Sequence, residues 1–139
     1  MGIGQVIEDA YLYFDYVAPM VYPSHYSNGF LGYKSPAQYP YEVIKYSMES
    51  ALKRLNNYEL GITNNATTTF IENSQLIINK SQLRPWLQDF DLGANYNAAM
   101  VKKQIQAVYD SASSTPELIN GFMLWDPKNE YTKGALKIE

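Results

Sequence analysis

The chain has 139 residues, 46% of them hydrophobic and 18% charged, which suits one domain or part of a larger one and is too apolar for disorder. A net charge of -3 gives no electrostatic reason to expect nucleic acid, and no apolar run approaches the roughly 18 residues of a membrane span, so neither partner is expected. The absence of cysteine excludes a disulfide framework and thiolate metal sites. The opening Met1-Gly2-Ile3-Gly4-Gln5 lacks the charged-then-apolar layout of a signal peptide, and the compartment stays open. Thirteen tyrosines, two tryptophans and five phenylalanines are the unusual feature. Rings with a polar tip suit a wet, apolar-walled cleft such as a sugar site, and they equally fill half-buried positions.

In chain order, Val6, Ile7, Ala10 and Tyr11 at helical spacing predict a short helix over 6–12. A strand from Tyr16 to Tyr22 follows, with Pro19 as an obstacle to regular pairing. A glycine- and tyrosine-rich loop then occupies Ser24 to Tyr39, a length more common in functional loops. Pro40-Tyr41 opens the clearest helix, with Val43, Ile44, Met48, Ala51, Leu52 and Leu55 on one face and Asn56-Asn57 as its expected end. The β-prone runs Thr67–Ile71 and Gln75–Asn79 predict a β-hairpin inserted within 57–82. Leu83 to Asp89 is expected as a second strand, again interrupted by a proline, Pro85. A helix from Asn97 places Ala98, Val101, Ile105, Val108 and Tyr109 on one face, and Gly121 to Asp126 is the third strand. Strands alternating with helices predict an α/β fold with a parallel sheet and right-handed crossovers. Three such strands leave both sheet edges open.

Three stretches carry a resemblance. Asp15-Tyr16-Val17-Ala18-Pro19-Met20-Val21-Tyr22-Pro23-Ser24-His25-Tyr26, Leu83-Arg84-Pro85-Trp86-Leu87-Gln88-Asp89-Phe90 and Gly121-Phe122-Met123-Leu124-Trp125-Asp126-Pro127 occur in the order of three motifs of a bacterial family. That family is the "putative glycosyl hydrolase domain" family of (β/α)8-barrel proteins, and Gly2-Ile3-Gly4-Gln5, Asn129 and Tyr131 also resemble it. The resemblance implies that residues 1–139 are a partial glycosidase-like TIM barrel, about strands six to eight, with the hairpin inserted. A complete barrel takes about 250 residues. The resemblance therefore also implies that the chain is incomplete alone. Its expected partners are a carbohydrate substrate and either the missing amino-terminal half-barrel or a second copy. Relatives carry an acidic motif near strand four, resembling Phe-Asp-Tyr-Val-Arg-Phe-Pro. Phe14-Asp15-Tyr16-Val17 looks superficially like it but continues as Ala-Pro-Met. Relatives are often exported or envelope-associated.

Glycoside hydrolysis usually takes two carboxyl groups, one acting as acid and one ionised. The carboxylates at expected strand ends are Asp89 and Asp126, and these are the candidate catalytic residues. For Asp89 the alternatives are a loop cap or a pair with Arg84; for Asp126, a turn residue before Pro127. Candidate substrate-binding residues are Tyr22, His25, Trp86, Gln88 and Trp125. The aromatic side chains among them suit either stacking on a sugar ring or packing in the core. His25, the only histidine, either bonds a sugar hydroxyl or anchors its loop, and one histidine makes a multi-histidine metal site or a serine–histidine relay weak readings. No cofactor is expected. Arg84, a charge within a strand, calls for a partner carboxylate.

Overall fold

A computed structural model describes residues 6–11, 13–65 and 81–136. Helix α1 spans Ile7–Tyr11 and leads into strand β1, Tyr16–Val17. Helix α2 spans Pro40–Asn65, strand β2 Gln82–Leu83, strand β3 Trp86–Gln88, helix α3 Ala98–Ser111 and strand β4 Met123–Trp125. The loop between β1 and α2 is a chain of short 3-10 turns at Pro23–His25, Phe30–Gly32 and Pro36–Gln38. Proline opens two of these turns, where its fixed φ and missing N–H do no harm.

All pairings are parallel. Tyr16 and Val17 face Gln82 and Leu83, Met20 bridges to Trp86, and Trp86, Leu87 and Gln88 face Met123, Leu124 and Trp125. A further bridge joins Leu83 to Ile119. The three stretches thus lie side by side in chain order, with the one containing β2 and β3 in the middle. The long strands expected from 16 to 22 and from 83 to 89 are each broken at a proline. Pro19 and Pro85 have no N–H to give to the ladder, so pairing lapses there and resumes one residue later.

The hydrophobic core lies on one side of these strands. Leu83 and Leu87 from the middle stretch meet Ile44, Met48, Leu52 and Leu55 of α2 and Ala107 and Val108 of α3. Period-2 alternation sends their neighbours Gln82, Arg84 and Trp86 to the other face. Helix α2 does not stop at Asn56-Asn57. Its apolar spacing continues from Leu55 to Tyr58, which packs on the core, and burial outweighs the modest helix penalty of two asparagines. Residues 57–65 are therefore helix, while the runs Thr67–Ile71 and Gln75–Asn79 lie outside the described residues. Helix α3 starts at an Asn97 side chain that accepts from the N–H groups of Ala99 and Met100. Its buried face is Val101, Gln104, Ala107, Val108 and Ser111; Tyr109, expected inside, is exposed, and the polar Gln104 takes a core position. The entry to the middle stretch is fixed by buried Ser81, whose hydroxyl meets the carbonyls of Tyr11 and Phe14.

Candidate functional site at the carboxyl ends of the strands

Parallel strands place their last residues, and the loops after them, at one end of the sheet. Val21 still donates its N–H to Trp86, after which Pro23 turns the first stretch away. Tyr22 is buried at this point and its ring is edge-on to His25, with centroids 5.2 Å apart, and to Phe90, at 5.7 Å. Burial pushes the Tyr22 phenol above its ordinary pKa. His25 is exposed and lies 6.2 Å from Phe90, so three aromatic rings form one cluster with its histidine edge in solvent. Phe90 belongs to this cluster although its sequence position, one past the strand, gave no reason to single it out.

Gln88 is fully buried. Its Oε1 accepts from the Ser24 N–H at 3.1 Å and its Nε2 donates to the Phe90 carbonyl at 2.9 Å. Both polar ends of the side chain are thus engaged by protein, and Gln88 ties the loop after the first stretch to the loop after β3. Its own backbone is held by Gln104 of α3, which accepts from the Gln88 N–H at 3.0 Å and donates to the Gln88 carbonyl at 2.7 Å.

Asp89 follows directly. Its N–H donates to the Trp125 carbonyl at 2.9 Å, and its Oδ2 accepts from the Thr132 N–H at 2.8 Å. The carboxylate is 4% exposed, and Oδ1 is buried without a partner among the described residues. Through Oδ2 Asp89 caps the loop at Thr132, one of the alternatives open for it, whereas Arg84 bonds to Asn120 instead. Asp126 is used differently. Its Oδ1 accepts from the N–H groups of Lys128, at 2.6 Å, and Glu130, at 3.3 Å, and its carbonyl accepts from Asn129. These bonds close the turn after β4.

Trp86 and Trp125 meet edge to face with centroids 6.0 Å apart, on the side of the strands away from the helices. Trp125 is 43% exposed and Trp86 half-buried, so the pair presents ring surface to solvent. Arg84, on the same face, has no carboxylate partner among the described residues. Asn120 takes that place, its carbonyl and side-chain oxygen accepting from Nε and Nη2, while the Tyr16 ring lies under the guanidinium. Among the described residues no group of three or more histidine, cysteine or carboxylate side chains is placed to hold a metal ion.

The structure therefore brings Tyr22, His25 and Gln88 together with Phe90, ties Asp89 to Thr132 in the loop after β4, and sets Trp86 and Trp125 together as a second aromatic surface. Asp126 lies in its own turn. Parallel strands with helices between them in the chain thus carry a buried carboxylate and aromatic rings at and near their carboxyl ends. Residues 1–131 match the family model described as "Putative glycosyl hydrolase domain", and the chain belongs to that family. No curated protein and no solved structure matches it.

Proposed function

We propose that this chain is the carboxyl-terminal part of a (β/α)8 glycoside hydrolase domain, about strands six to eight, that binds a poly- or oligosaccharide and contributes Asp89 as a catalytic carboxylate. The observation that carries this reading is the Oδ1 of buried Asp89 at the end of the middle strand, which has no partner among the described residues. A buried carboxylate oxygen without a hydrogen bond is costly, and such an atom calls for a ligand as its partner. The Trp86–Trp125 pair supplies ring faces for the apolar side of a pyranose, and exposed His25 supplies a hydrogen-bonding group near the loop.

A second reading, carbohydrate binding without hydrolysis, is favoured by Asp126. Hydrolysis usually takes two carboxyl groups, and Asp126 already accepts two backbone N–H bonds in its turn. One variant separates the readings. In a glycan screen followed by turnover assays on any hit, Asp89→Asn should keep glycan affinity within about threefold and lower kcat by at least about a hundredfold. A glycan that is bound but turned over by neither protein establishes the binding module instead. Undiminished turnover by Asp89→Asn removes Asp89 from catalysis.

A further inference from the structure

The loop between β1 and α2 ends on a pair of tyrosines that the strand-end site does not use. Tyr33 and Tyr39 stack nearly parallel, with ring centroids 3.9 Å apart and 15° between the planes. Tyr33 is half-buried and covers one face of Tyr39, yet Tyr39 remains 39% exposed. A pocket of about 410 Å³ lies against Tyr39 with Asn28, Lys34, Ser35 and Gln38. A neighbouring one of about 460 Å³ shares Gln38 and Tyr39 and adds Glu42 of α2 and Lys103 of α3. Both volumes fall in the range of ligand sites. The side chains of Asn28, Lys34, Ser35, Gln38 and Lys103 make no hydrogen bond or ion pair among the described residues. Neither pocket is lined by Asp89, Gln88, Trp86 or Trp125.

The tyrosine pair is held in place by the loop after β3. The buried Tyr96 hydroxyl donates to the Ala37 carbonyl at 2.9 Å, two residues before Tyr39. Ala37 is itself buried against Gly93, where φ is +72° and an added Cβ would come within 2.9 Å of the Ala37 side chain, so glycine alone suits that approach. On the near side of the pair, Gly29, at φ +92°, donates its N–H to the Tyr33 carbonyl at 2.8 Å. The rings are therefore ordered before any ligand arrives, and a ligand that meets them pays little for ordering them.

We infer that Tyr39 and the polar groups around it form a second carbohydrate site, which holds a short stretch of a glycan chain laid across the Tyr39 ring. The apolar side of a pyranose packs on an aromatic face. The amides of Asn28 and Gln38 each offer donors and an acceptor on one planar group, which suits adjacent sugar hydroxyls, and Gln38 borders both pockets. A protein partner fits this surface poorly, because the centre of a protein interface is apolar and depleted in lysine, whereas here one ring is surrounded by amides, a hydroxyl and lysines. Single-stranded nucleic acid also stacks on rings, but it follows a basic groove, and Lys34 and Lys103 stand with Glu42 on a chain of net charge -3. A site of this kind holds a polymer near the strand ends and raises its local concentration there. It goes beyond the role proposed for Asp89 and stands whether or not Asp89 is catalytic.

The test titrates the whole isotope-labelled chain with cellopentaose, maltopentaose, chitopentaose and penta-galacturonate. It follows the side-chain amides of Asn28 and Gln38 and the indoles of Trp86 and Trp125 by NMR. At least one of these sugars should shift both amides at millimolar concentration. For that sugar, Tyr39→Ala should weaken binding at the amides at least about tenfold, and Tyr39→Phe, which keeps the ring face, by less than about threefold. Gln38 is exposed, so Gln38→Met leaves the fold intact and should weaken binding about fivefold. Trp125→Ala should leave the affinity read at the amides unchanged. Amides that stay still with every sugar, an affinity that survives Tyr39→Ala, or one that is lost in Trp125→Ala overturns the inference. Shifts confined to the two indoles assign the glycan to the strand ends alone; they overturn this inference and leave the proposed function standing. Binding at Tyr39 without turnover of any sugar does the reverse.

Discussion

Continuing the register of Met20 opposite Trp86, the next donor along the ladder to the Gln88 carbonyl is residue 23, and Pro23 has no N–H. The Gln88 N–H loses its strand neighbour at the same place, because the first stretch turns away. Gln104 fills both vacancies with one side-chain amide, and both glutamines are fully buried. Leucine at this position keeps the size but removes donor and acceptor together, leaving a buried N–H and a buried C=O unpaired. Each such group costs about 1–3 kcal/mol, so Gln104→Leu should lower unfolding free energy by about 2–6 kcal/mol with an unchanged urea m-value. Because Gln88 also holds Ser24 and Phe90, the loss should extend to the site: the near-ultraviolet signal of the Tyr22–Phe90 cluster should weaken before global unfolding. A loss under about 0.5 kcal/mol would show that water replaces the amide without penalty. None of this network was legible in the sequence. Gln104 sits at an apolar helical position by spacing, but nothing local says that a polar side chain there faces a strand whose partner has just run into a proline.

At the scale of elements, helices α2 and α3 pack against each other beneath the strands, and a polar contact marks the rim of their interface. The Tyr41 hydroxyl at the start of α2 donates to Asp110 Oδ2 at 2.8 Å, and Gln106 donates to Oδ1 of the same carboxylate at 2.7 Å. The bond from Tyr41 holds the Asp110 carboxyl below the usual carboxylate range, with Gln106 adding to it, and Asp110 in turn holds the Tyr41 phenol above its ordinary value. The signs follow. Asp110 contributes stability above its unfolded pKa and loses it as pH falls through its lowered folded value; Tyr41 contributes below its unfolded pKa and loses it as pH rises through its raised one. The pair is solvent-screened, so the stability change is small, but the titration itself is readable. Ultraviolet difference titration should show several tyrosines ionising later than free tyrosine, Tyr22 and Tyr41 among them, and Asp110→Asn should bring one of these transitions down; no change would mean that the bond does not persist in solution. The helices themselves were legible, since Val43, Ile44, Met48, Leu52 and Leu55 repeat at helical spacing and all are buried. The end of α2 was not, because Asn56-Asn57 resembles a stop signal and only tertiary contact at Tyr58 overrides it. Parallel pairing was legible from the strand–helix alternation, whereas the breaks at Pro19 and Pro85 required knowing which backbone groups face the ladder. Of the candidate site, Asp89 was marked by its place after a strand, and the engagement of Asp126 in its turn was foreseeable from Pro127.

At the scale of the molecule, the arrangement of the described residues is one-sided: helices cover one face of the strands, and the other presents Tyr16, Met20 and Trp125 to solvent. The middle stretch, covered by both neighbours and by the core residues Leu83 and Leu87, is the most deeply protected part of the described chain. Amide exchange should reproduce this gradient residue by residue. The N–H groups of Gln82, Arg84, Trp86 and Asp89 are each bonded to a neighbouring stretch, at 2.9 to 3.0 Å, and should exchange only with global unfolding. Val21 is bonded at 3.2 Å from the edge strand and should open somewhat more readily. Tyr16, Ala18 and Met20, which point to the open edge, should exchange orders of magnitude faster, although they alternate with bonded residues in the same short segment. That alternation is the discriminating feature. A frayed or detached first stretch would leave Val21 as fast as its neighbours, and a strand already seated on the edge would slow all four. Slow exchange at Ala18 and Met20 in a dilute, monomeric sample would mean that the edge is already covered within the chain itself.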